Sequence, residues 1–89
     1  MMFQEVIVKK DGVVTPQDYS ALTERAMRFR SEILLGLGSK RVNVKSILGL
    51  LALGLKNDDK VTVVTKGEDE REALEAVARI LSSGFRKSW

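Results

Sequence analysis

The chain has 89 residues, 44% of them hydrophobic and 30% charged, with a net charge of +3; this is enough for one two-layer core and too little for a second domain. It contains neither cysteine nor histidine, which excludes disulfides and thiolate or imidazole metal sites and removes the commonest catalytic base. Basic residues are scattered among acidic ones, MMFQEVIVKK is no secretory leader, and ILGLLALGL is about half of the roughly 20 apolar residues a membrane span needs. The expectation is a cytoplasmic protein that is not an enzyme, holds no cofactor or metal, and binds neither membrane nor nucleic acid directly.

In chain order, Phe3 to Lys9 reads as a strand, closed by the turn signal Lys10-Asp11-Gly12. A helix follows, with Thr15 as cap, Pro16 at its first position, Asp18 where a capping-box acid belongs, and Leu22, Ala26 and Phe29 at helical spacing. Alternation at Ile33, Leu35, Leu37, Val42 and Val44 around Gly38-Ser39 predicts a hairpin with one buried face. Ser46 caps a short apolar helix that ends at Gly54. After the Asn57-Asp58-Asp59 turn, Lys60 to Lys66 is a strand. The last helix opens on a capping pattern of Asp69 and Glu72 and carries an apolar stripe through Ala73, Leu74, Val77, Ile80 and Leu81. Residues 1–84 form the domain and residues 85–89 a C-terminal tail, in which Phe85 and Trp89 either pack back or stay free. The order β-α-β-β-α-β-α predicts an α+β fold, a four-stranded antiparallel sheet covered on one face by three helices.

The segment Val42-Asn43-Val44-Lys45-Ser46-Ile47-Leu48-Gly49-Leu50-Leu51-Ala52-Leu53-Gly54, together with Gly67-Glu68-Asp69-Glu70 ahead of Glu72-Ala73-Leu74, resembles the HPr family. That family comprises the small phosphocarriers of the bacterial sugar phosphotransferase system and their Crh paralogues. The resemblance implies an open-faced sandwich over almost the whole chain. The family's first turn carries a phosphorylated histidine followed two residues later by an arginine. Here the turn reads Gly12-Val13-Val14-Thr15-Pro16-Gln17-Asp18. Aligned without gaps, Thr15 falls at the histidine position and Gln17 at the arginine position; shifted by one, Val14 takes the histidine position. Neither register supplies a histidine. A threonine phosphoester is a poor onward donor, and its hydroxyl needs an activating base, so Thr15 reads as a helix cap and the chain as a non-transport member.

Ser46 matches the family's regulatory serine. A phosphate there adds about −1.5 to −2 charges beside unpaired N–H groups at a helix start, with Lys45 adjacent and Lys40 and Arg41 near in sequence. At about 100° per residue, Leu50 and Leu53 share one side of the helix, and Ile47, Leu48 and Leu51 another. Burying the first pair exposes the second set, which either is covered by the C-terminal tail or a loop or, as an exposed apolar cluster, marks a contact site. By resemblance the partners are a serine kinase of the HPr type and a LacI-type catabolite-control repressor, with Gln17, Lys45, Ile47, Leu48 and Leu51 as contact residues. Gln17 brings no charge to that contact. A phosphorylation-independent interaction module using the same helix is the alternative.

Overall fold

The structure is a computed structural model that describes residues 1–86. Seven elements follow one another: β1 (Met2–Ile7), α1 (Pro16–Ala26), β2 (Glu32–Leu37), β3 (Lys40–Asn43), α2 (Ile47–Leu53), β4 (Lys60–Lys66) and α3 (Glu70–Ser82). The strands form one antiparallel sheet in the order β1-β4-β2-β3. Period-two alternation turns Val6, Ile33, Leu35, Val61, Val63 and Thr65 toward the helices, and the three helices lie on that face. This is the open-faced α+β sandwich that the element order predicts.

Local signals account for the helix starts. Thr15 Oγ1 accepts from Asp18 N at 3.1 Å while Asp18 Oδ2 accepts from Thr15 N at 2.8 Å, a reciprocal box that satisfies two donors a helix start leaves unpaired. Ser46 Oγ accepts from Gly49 N at 3.2 Å, and Gly54 ends α2 in the left-handed conformation.

Three local expectations are corrected. β1 ends at Ile7 rather than Lys9, because Lys9 N donates to Leu81 O of α3 instead of continuing the ladder. α1 ends at Ala26, so Phe29 lies beyond the helix and packs half-buried against the core from the connecting loop.

Asp69 stands at the N-cap of α3, but its side chain makes no capping bond. Its carboxylate crosses instead to the loop before β2, accepting from Arg30 N at 3.0 Å, Ser31 N at 2.9 Å and Ser31 Oγ at 2.6 Å. Those three donors hold Asp69 at a pKa of about 2, the Ser31 hydroxyl contributing most. The loops touch here: a Cβ on Gly67 would lie 2.7 Å from Ser31 Cα, so only glycine permits the approach.

Of the two alternatives for Phe85, the structure shows packing back: it is buried in the core. Gly84 is left-handed after the α3 cap, and Phe85 N donates to Ile80 O at 3.0 Å. This is the six-to-one bond of a Schellman turn, whose residue after the glycine packs back on the helix. The reading of Trp89 lies outside the described residues. Among the described residues no helix is long and apolar enough to cross a membrane.

Candidate functional site

α2 is seven residues long and amphipathic in a narrow sense. Leu50 and Leu53 enter the core, while Leu48 is 79% exposed, Leu51 42% and Ile47 38%. The three outward residues form an apolar surface immediately after Ser46, which is half-buried at the helix start. They face outward because Leu50 and Leu53 take the inward side of the helix, and Gly49 lets α2 lie close to β3, where a Cβ would come within 3.2 Å of Val42 Cβ.

Three hydrogen bonds fix how α1 lies beside α2. Leu55 N, just past α2, donates to Tyr19 Oη at 2.8 Å; Thr23 Oγ1 donates to Val44 O at 2.9 Å; Lys45 Nζ donates to Phe29 O at 2.8 Å. The start of α1 therefore meets the end of α2, and its later turns meet the residues that lead into Ser46. Ser46, Ile47, Leu48 and Leu51 come together. Thr15 and Gln17 lie at the other end of α1, and these contacts set Thr23 and Phe29, not Gln17, against the approach to Ser46.

The charges near Ser46 differ from the sequence expectation for the same reason. The Lys45 ammonium is directed to the Phe29 carbonyl. Arg41 pairs with Gly36 in the β2–β3 register, one residue from inward-facing Val42, so its side chain projects to the sheet face away from the helices. Of the three cations near Ser46 in sequence, Arg41 is thus turned away, Lys45 is held at the Phe29 carbonyl, and Lys40 has the same strand parity as inward-facing Val42. Met27, at the C-cap of α1, is 63% exposed and adds apolar surface at the end of α1. Its place beyond the helical stripe was its only sequence signal.

At the other end, Val14 is buried and has no surface to offer a reaction. Thr15 spends its hydroxyl on the cap. Burial raises the pKa of Asp18, but the Thr15 N–H, Lys10 and the Thr15 hydroxyl outweigh it, and the net shift is downward. Lys10 Nζ stands 2.9 Å from Asp18 Oδ2. A charged carboxylate therefore sits one turn from the position where a carrier would receive phosphate.

An open-faced sandwich with a capped serine ahead of a short apolar helix defines the class of small phosphocarrier-like domains. The family profile described as the PTS HPr component phosphorylation site matches residues 5–83, and the chain belongs to the HPr family. It is 37% identical over 78 residues to the HPr-like protein Crh of Bacillus subtilis, covering 88% of this chain and 92% of that protein. It is 35% identical over 78 residues to the phosphocarrier protein HPr of Mycoplasma pneumoniae, covering 86% of this chain and 89% of the relative. Among solved structures, HPr-C-His from Thermoanaerobacter tengcongensis superposes with a TM-score of 0.89 at 27% identity over the full length of both chains.

Proposed function

We propose that this chain is a Crh-like, non-transport member of its family. It acts in the cytoplasm as a regulatory partner in carbon catabolite control, switched by phosphorylation of Ser46. The observation that carries the reading is the joining of a helix-capping serine to an apolar surface, Ile47, Leu48 and Leu51, that the fold leaves outside its core. A phosphate on Ser46 gains from the positive end of the α2 dipole without removing a core contact. Its partners are a serine kinase of the HPr type and a LacI-type catabolite-control repressor, with Gln17 and Lys45 at the margins of the contact. The absence of histidine from the chain supports a role outside phosphoryl relay.

One observation favours a second reading, in which the same surface binds a partner without phosphorylation. Lys45 Nζ is held on the Phe29 carbonyl and Gln17 is uncharged, so a direct ion pair between Lys45 and a phosphoserine would cost Lys45 that hydrogen bond.

Leu48→Glu tests the shared premise. Because Leu48 is 79% exposed, the variant melts at nearly the wild-type temperature. It binds the repressor at least about 2 kcal/mol more weakly, the scale of a lost interface hot spot. A folded variant with unchanged binding in calorimetric titration removes the surface from the account. Dependence of wild-type binding on the Ser46 phosphate separates the two readings.

A further inference from the structure

The helices cover one face of the sheet and leave the other bare. Strand register arranges the bare face in rows: Glu5–Thr62–Gly36–Arg41, Phe3–Val64–Leu34–Asn43, and Lys66–Glu32. Phe3 is 70% exposed and Ile7 41%, beside half-buried Val64 and Leu34. We propose that a second copy of this chain packs on this face, sheet against sheet, about a two-fold axis that runs along the strands between β4 and β2.

The charge pattern selects both the partner and the axis. A two-fold along the strands keeps each row in place and exchanges its ends, so β1 of one copy lies over β3 of the other. Glu5, which in its own chain lies 3.5 Å from Lys60 Nζ in an exposed pair, then faces the partner's Arg41, and Arg41 faces the partner's Glu5. In the next charged row, Lys66 faces the partner's Glu32 and Glu32 the partner's Lys66. Between them Val64 lies over the partner's Leu34, in both directions. A two-fold across the strands instead sets β4 on the partner's β4 and, centred on the strand, brings Lys60 opposite the partner's Lys66, a like-charge contact. Aligned packing of two twisted sheets at about −30° preserves the central rows.

Gly36 supplies an independent sign. Its own chain has no need of a glycine there: a Cβ would meet only Lys40 O at 3.6 Å and Thr62 O at 3.9 Å, ordinary contacts. Under the proposed axis Gly36 faces the partner's Thr62, where a small residue lets the sheets approach. The dimer leaves α2 of both copies facing outward, so it presents two Ser46 surfaces in opposite directions.

Sedimentation velocity of the full chain from micromolar to millimolar concentration at low salt tests the proposal. The expected result is a reversible dimer. Glu5→Arg and Arg41→Glu alone each weaken dimerisation at least about tenfold, and the double variant restores it. Glu5 and Arg41 lie on opposite edges of one sheet, so rescue arises only between copies. Exchange of β1 between copies, one form of domain swapping, makes no Glu5–Arg41 contact and shows no rescue. A chain that stays monomeric, single variants without effect, or a double variant that fails to recover each overturns the proposal. Should a variant not fold, wild-type amide shifts decide: concentration-dependent movement at Phe3, Leu34 and Val64 supports the interface, and movement confined to other residues refutes it.

Discussion

Asp69 shows what one side chain contributes when it is used across elements rather than along its own helix. Its carboxylate fastens α3 to the loop entering β2 and has a pKa lowered from 3.8 to about 2. A carboxylate depressed on folding contributes stability that is complete above its unfolded pKa and is lost as pH falls through the folded one. The clasp therefore weakens between about pH 4 and pH 2. Asp69→Asn keeps the shape and removes the charge, so denaturant midpoints measured across that window fall less steeply than in the wild type. Superimposable acid profiles contradict the assignment. At the start of α1, Thr15, Gln17 and Asp18 argue against relay chemistry together. Enzyme I and phosphoenolpyruvate are expected to leave the chain unlabelled, and Thr15→His to restore little, because Gln17 adds no charge and the Asp18 carboxylate repels the incoming anion. Labelling of the single variant at the rate of an ordinary HPr contradicts this.

At the scale of elements, the C-terminal end of α3 is a structural part of the domain. Phe85 is 6% exposed and held by the Schellman turn, so Phe85→Ala is expected to destabilise the chain by about 3 kcal/mol or more, read from urea unfolding. A loss near zero returns Phe85 to the tail. This end of the chain also shows where sequence reading stops. The caps at Thr15, Ser46 and Gly54 and the inward alternation of β2 and β4 are legible because each depends on neighbours within four residues. The division of α2 into Leu50 and Leu53 against Ile47, Leu48 and Leu51 is legible because the helical period alone separates them. The target of the Asp69 carboxylate, 38 residues away at Ser31, has no local signature, and neither has the reach of Lys45 to Phe29. Phe29 fits the stripe of α1 by spacing, yet the helix ends before it. The distance between Gln17 and the approach to Ser46 depends on how α1 lies across α2, which only tertiary hydrogen bonds set.

The molecule as a whole has two contrasting sides, and the sheet divides them. Three helices bury the core on one side and carry Ser46 with its apolar neighbours. The bare face carries the self-complementary rows. Ser46 caps α2 directly ahead of that helix's apolar surface. The central claim is that Ser46 receives phosphate while Thr15 does not. Intact mass and fragment analysis after incubation with an HPr-type serine kinase and ATP tests it most directly. The account predicts a single acid-stable phosphate on Ser46, absent from Ser46→Ala, a variant that still folds after losing about 1 kcal/mol with its cap. An unmodified chain, or a phosphate mapped to Thr15, contradicts it.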